Sequence, residues 1–110
     1  MLFRSTPRNG FPRIAKMGYD VTIGIPVFKS VEYIRQSMES ALNQTYDSIE
    51  FLIIDDAGQD GSMDIIAYFQ KTHSRGQDIH IISHQKNLGV SVSRNEIIEK
   101  AQGAFLYFMD

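Results

Sequence analysis

The chain has 110 residues, 43% of them hydrophobic and 22% charged, which bounds it to one globular domain and excludes a disordered chain. Its formal charge of −2, with no cluster of Lys and Arg, leaves no electrostatic footprint for nucleic acid. The absence of cysteine excludes disulfides and thiolate metal sites and fits a reducing compartment, and no apolar run reaches the roughly 18 residues of a membrane span.

Residues 1–18 differ from the rest. Arg4, Arg8, Arg13 and Lys16 stand among Pro7 and Pro12, with no periodic apolar pattern. The apolar core of about 7 to 15 residues that a secretory signal needs is missing. The expectation is a basic tail that is disordered or loosely docked, or a start-site artefact, since Met17 stands just before the first strand. Residues 19–110 are expected to carry the fold and the function.

Val21–Val27 (VTIGIPV) predicts a first strand, with Pro26 near its end, where a missing N–H is tolerated. Ser30 predicts the N-cap of a helix reaching about Leu42, with Val31, Ile34, Met38, Ala41 and Leu42 on one face. A polar connection over 43–47 leads to a second strand at 51–54, whose unbroken apolar run suits burial on both faces of a parallel sheet. Ser62 predicts the cap of a second helix that buries Ile65, Ile66 and Phe69. A third strand follows at 79–82, then a third helix over 90–102 stopped by Gly103 in the C′ position, then a fourth strand at 104–109.

The order β-α-β-α-β-α-β predicts an α/β fold, a mostly parallel Rossmann-like sheet with helices on both faces. Right-handed crossovers leave few strand orders, of which we expect 3-2-1-4. Polar groups after the first, second and fourth strands then converge on one crevice at the topological switch. The fourth strand would form an open, apolar edge, so the chain is expected to be truncated.

The segment FLIIDDAGQDG ends an apolar run in two adjacent carboxylates, Asp55 and Asp56. Unpaired charges are too costly for a core, so the pair is expected at the carboxyl edge of the sheet, where open α/β proteins bind ligands. A lone carboxylate there can be a turn or a cap, but Asp60 and Ser62 already supply that chemistry. Asp56 could accept a hydrogen bond from an imide N–H such as that of uracil. No G-x-G-x-x-G or G-x-x-x-x-G-K-[ST] loop is present, which disfavours dinucleotide oxidoreductases and P-loop enzymes.

Phe28 offers a ring face for a planar base and Pro26 would fix the backbone that aims it; the plainer reading is an aromatic covering the sheet edge. Residues 87–95 (NLGVSVSRN) open the third helix, whose first amides suit a phosphate, with Arg94 placed to add a charge-assisted bond to a diphosphate. Asp110, closing FLYFMD, could help place a divalent cation, which carboxylate oxygens favour. His73, His80 and His84 form no metal-ligand spacing and are expected to be solvated or at loop edges, and Glu96, Glu99 and Lys100 to form a wet helix face.

With these residues in place, residues 21–110 resemble the first half of a family-2 glycosyltransferase of the GT-A fold. Four blocks agree in order and spacing. VTIGIPVFK is similar to V-S-[IV]-I-[IV]-P-x-Y-N, and ALNQTYDSIEFLIIDDAGQDGS to S-[IV]-L-x-Q-[ST]-x-x-x-x-E-[IV]-[IV]-[IV]-[IV]-D-D-G-S-x-D. NLGVSVSRN is similar to N-x-G-x-x-x-A-R-N, and AQGAFLYFMD to A-x-G-x-[YF]-[IV]-x-F-[LM]-D.

The resemblance implies a donor-binding half of a metal-dependent, inverting enzyme that transfers a sugar from a nucleotide-diphosphate-sugar, expected to be UDP-linked, to a saccharide or lipid-linked acceptor. It implies that Pro26 and Phe28 border the base, that Asp56 hydrogen-bonds it, and that Arg94 lies near the diphosphate. Asp110 would be the first acid of the D-x-D motif, holding Mg2+ or Mn2+. The general base is expected beyond Asp110, so no catalytic residue is assigned within the chain, which alone is expected to be inactive. The expected location is the cytoplasm, with the parent enzyme at the inner face of the membrane where it associates peripherally.

Some residues depart from the pattern: Phe28 for Tyr, Lys29 for Asn, Ala57-Gly58 for Gly-Ser, and Ile97 at a position often Gly. Two rival readings stand beside this one. A non-catalytic module could hold a nucleotide or a partner, using the open fourth strand. A phosphoacceptor receiver would need its acid pair after the first strand and an acceptor Asp after the third, where this chain has Ser83 and His84.

Overall fold

Strand β3 (Ile49–Asp55) is buried along its whole length except at Asp55, because it has a parallel neighbour on each side and helices on both faces. In the computed structural model, which describes residues 3–5 and 18–109, β2 (Val21–Val27) runs parallel to β3 with Val21 opposite Ile49 and Val27 opposite Asp55. On the other side β4 (Ile79–Ser83) is parallel, with Asp55 opposite Ser83. Strand β5 (Phe105–Phe108) pairs parallel with β2. The four strands read from the sequence therefore lie in the expected order, β4-β3-β2-β5.

A fifth strand lies outside that expectation. Within the segment expected to be a tail, β1 (Phe3–Ser5) pairs antiparallel with β5, Phe3 opposite Tyr107 and Ser5 opposite Phe105. The β5 edge expected to be open is thus occupied, which removes the row of unpaired backbone groups that a partner chain would have used. Met17 and Asp110 lie outside the described residues.

Alternation along β3 divides the core. Phe51 and Ile53 face a layer made by α1 (Ile34–Leu42) and α2 (Ser62–Thr72), through Ile34, Met38, Ala41, Leu42, Ile66 and Phe69. Leu52 and Ile54 face the other side, with Leu106, Phe108 and Ile97 of α3 (Val90–Lys100). Gly24 of β2 lets α3 come close: a Cβ there would stand 2.5 Å from Cγ2 of Ile97.

Three local expectations differ. Helix α1 begins at Ile34, not after Ser30, and Val31 is 41% exposed instead of on the buried face. The reason is that the Ser30 N–H donates to Ser62 Oγ and the Val31 N–H to Asp60, anchoring this turn to the start of α2. Ser62 is the first residue of α2, not its cap; its buried hydroxyl donates to Asp60 Oδ1 at 2.7 Å, and the preceding residue is Gly61. Gly103 does not end α3, which stops at Lys100 with Ala101 already extended. Its place is dictated by close packing, since a Cβ would stand 2.4 Å from the Thr22 nitrogen.

Candidate functional site

The carboxyl ends of β2 and β3 and the start of α3 enclose a cavity of about 440 Å³, a size that suits a small ligand. Pro26, Phe28, Asp56 and Arg94, four residues singled out from the sequence, all line it, together with Asn87 and Ser93. Phe28 is 44% exposed, with Lys29 Nζ 5.3 Å from its ring centre. The Arg94 guanidinium lies 5.2 Å from the ring centre of Phe108, the last residue of β5.

The two adjacent carboxylates have different fates. Asp55 Oδ1 accepts from the Ala57 N–H at 3.1 Å, a local turn, and Asp55 lines a second cleft of about 360 Å³ beside Lys29, Asp60 and Asp64. Asp56 is buried, and its oxygens accept from the backbone N–H groups of Leu88 (2.8 Å) and Gly89 (2.9 Å), from Asn87 Nδ2 (2.8 Å) and from His84 Nδ1 (2.8 Å). A carboxylate offers about four lone-pair sites, so the loop between β4 and α3 fills them all. Burial alone pushes the Asp56 carboxyl up, but the bonds from His84, Leu88 and Gly89 and the His84 charge outweigh it and hold the group below its ordinary value.

His84 is neither solvated nor at a loose edge, contrary to expectation. Its side chain is 8% exposed and joins Asp56, through Nδ1, to Glu96 Oε1, through Nε2 at 2.5 Å. Bonds to Asp56 and Glu96 raise its basicity above that of an ordinary histidine, against the opposite effect of burial. Glu96, expected on a wet helix face, is drawn inward by the same bond.

The linkage has a definite sign. The raised His84 contributes stability that is complete below the ordinary histidine value and lost as pH rises through its folded one. The lowered Asp56 contributes stability that is complete above the ordinary aspartate value and lost as pH falls through its folded one. The pair is therefore strongest between the two ordinary values, about 4 and 6.5.

His80 is also bound, its Nδ1 2.8 Å from Oε2 of buried Glu50, with its ring edge-on to Tyr19. His73 stays at a loop edge, accepting from the Arg75 N–H. What places His84 beside Asp56 is the register of the sheet, which local sequence patterns do not carry. Asp55 pairs with Ser83, so the residue that follows β4 must stand beside the residue that follows β3. Among the described residues no group of three His, Cys, Asp or Glu could hold a metal ion, and Asp110 lies outside them. Nor is any described helix long and apolar enough to cross a membrane.

Residues 22–110 match the sequence profile described as Glycosyl transferase family 2. The chain belongs to that family. The Bacillus subtilis protein EpsH is 39% identical over 90 residues, which are 82% of this chain and 25% of EpsH. A cholesterol galactosyltransferase of Borreliella burgdorferi is 36% identical over 92 residues, 84% of this chain and 25% of that protein. The crystal structure of Staphylococcus aureus TarS (residues 1–349) with UDP-GlcNAc superposes with a TM-score of 0.74 at 21% identity, covering 83% of this chain and 26% of that one. The mannosyltransferase PcManGT of Pyrobaculum calidifontis, solved with GDP-Man and Mn2+, gives 0.66 at 19% identity, covering 78% and 25%. The fold is that of these GT-A enzymes. The chain spans about a quarter of each of these proteins.

Proposed function

We propose that the protein is the donor-binding part of an inverting glycosyltransferase that takes a sugar from a nucleotide-diphosphate-sugar, UDP-linked, and transfers it to an acceptor hydroxyl. The observation that carries this reading is the convergence of Pro26, Phe28, Asp56 and Arg94 on one cavity at the carboxyl edge of the sheet. In it the base stacks on Phe28 beside Pro26, its imide N–H is received by Asp56, and Arg94 meets the diphosphate. Because the lone pairs of Asp56 are all engaged, the incoming N–H must share or displace one of the donors from Asn87, Leu88 and Gly89.

The family resemblance adds a divalent cation, Mg2+ or Mn2+, held in part by Asp110, and the Mn2+ in PcManGT supports it. Such an ion supplies Lewis-acid stabilisation of the leaving diphosphate. The acceptor we assign is a saccharide or lipid-linked hydroxyl, and the relative named for cholesterol galactosylation supports the lipid case. Its general base lies outside this chain.

Thermal unfolding with UDP and Mn2+ tests the reading. The nucleotide should raise the Tm of the wild type, and Asp56→Ala should lose most of that rise, an affinity loss of at least about tenfold, or 1.4 kcal/mol. Equal shifts for the two proteins would defeat it.

A further inference from the structure

Resting on the donor-binding reading, we propose that His84 is a positioning residue for donor recognition: as an imidazolium bridging Asp56 to Glu96, it fixes the Asp56 carboxylate and the 84–89 loop, and donor affinity falls when its proton is lost.

The geometry requires the cation. Both ring nitrogens stand within hydrogen-bond distance of carboxylate oxygens, 2.8 Å at Nδ1 and 2.5 Å at Nε2. A neutral imidazole has one donor and one acceptor, so it would set a lone pair against one of those carboxylates; only the imidazolium donates to both. With the ring 8% exposed, water cannot mend a broken side. The charged groups facing the ring are Asp56, from the end of β3, and Glu96, from the second turn of α3. On the histidine's own segment the backbone N–H donates to the Asp55 carbonyl at 2.8 Å, which fixes the residue to the sheet.

Two consequences follow for a ligand in the adjoining cavity. Loss of the proton breaks the Asp56 or the Glu96 bond, and a carboxylate freed of His84 is no longer aimed by the sheet. It also leaves two carboxylates with no cation between them, beside the cavity that the anionic sugar nucleotide has to enter. Both effects weaken the donor in the same direction. By linkage the donor must in turn favour the protonated ring.

The experiment is calorimetric titration of UDP-GlcNAc and GDP-Man against the wild type, His84→Gln and Glu96→Gln from about pH 5.5 to 8.5, the range in which a histidine titrates. These probes are diphosphate diesters with no phosphate proton to lose there. We expect the wild-type affinity for the donor that binds to fall roughly tenfold across the rise. His84→Gln should show one pH-independent affinity near the high-pH level of the wild type. Glu96→Gln, which removes one of the two charges holding the proton, should keep the low-pH affinity and move the midpoint to lower pH, a shift that a merely structural histidine would not produce. A flat wild-type profile, or an unchanged profile in His84→Gln or Glu96→Gln, overturns the proposal while leaving donor binding intact. If the wild type binds neither sugar nucleotide at any pH, the donor-binding reading has failed and the proposal falls with it.

Discussion

Strand β3 has a buried carboxylate at each end, Glu50 near its start and Asp56 just past its last residue, and the two make an informative pair. Each is within 2% of complete burial and each holds a histidine from the next strand or its exit. Glu50 accepts from Thr22 Oγ1 at 2.8 Å, from the Gln102 N–H at 3.0 Å and its side-chain amide at 3.1 Å, and from His80 at 2.8 Å. Those donors come from β2, β4 and the turn before β5. The donors to Asp56 all come from residues 84–89. A saturated carboxylate is therefore not in itself the mark of a site. At the amino edge it fastens several segments that cannot move independently. At the carboxyl edge it is held by a single short loop, residues 84–89, which His84 ties in turn to Asp55 and to Glu96 of α3.

Breaking the amino-edge carboxylate should have the largest effect on stability. In Glu50→Ala the Thr22 hydroxyl, the Gln102 N–H and His80 lose a shared buried partner, and we expect a loss of about 3–5 kcal/mol in urea unfolding. Asp56→Ala should cost less, about 1–3 kcal/mol, because two of its donors, Asn87 and Leu88, are exposed and can turn to water, whereas His84 cannot. If Asp56→Ala proved the more destabilising, the division between a fastening end and a binding end would be wrong.

That division also shows what the sequence made legible. The strand order and the meeting of Pro26, Phe28, Asp56 and Arg94 follow from the β-α alternation and from polar residues at strand ends, both of which are local patterns. His80 and His84 were misread because their partners are 30 and 28 residues away, Glu50 for His80 and Asp56 for His84, and no local pattern carries that pairing. Strand β1 escaped for a similar reason: three residues among basic and proline-rich neighbours have no period to detect, and their pairing with β5 is supplied by an edge about a hundred residues away. Ser30 and Ser62 have the chemistry of helix caps, but here each is tied to the other's turn.

Backbone strain sharpens the contrast. Lys29, Ala57 and Gln59, the non-glycine residues with positive φ among those described, all stand in the loops at the carboxyl edge. Two of them are departures from the family pattern, which has Asn and Gly where this chain has Lys29 (φ 51°) and Ala57 (φ 61°). A left-handed conformation costs an L-residue roughly 1–2 kcal/mol, and glycine escapes most of that while losing more entropy on folding. Ala57→Gly should therefore raise stability by about 0.5–1 kcal/mol in urea unfolding. Lys29→Asn should gain a few tenths of a kcal/mol, since Asn tolerates this region better than Lys. A lower stability for Ala57→Gly would mean that the strain is not carried at this turn.

A change near zero or of favourable sign is expected at Ser93, which is fully buried, lines the cavity and leaves its hydroxyl without a partner among the described residues. The family pattern has Ala there. A buried hydroxyl with no bond contributes nothing to offset its desolvation, and Ala is the better helix former, so Ser93→Ala should leave the ligand-free protein unchanged or more stable by up to about 1 kcal/mol. The same substitution at the amino edge, Thr22→Ala, removes a hydroxyl that donates to Glu50 and accepts from the Gly103 N–H. There the expected loss is about 1–3 kcal/mol, because Glu50 loses one of its four donors and the Gly103 N–H loses its acceptor in the core. Two hydroxyl deletions of opposite sign, measured in one set of urea titrations, thus compare the two ends of the sheet directly. A loss at Ser93 matching that at Thr22 would show that the carboxyl edge is fastened as firmly as the amino edge.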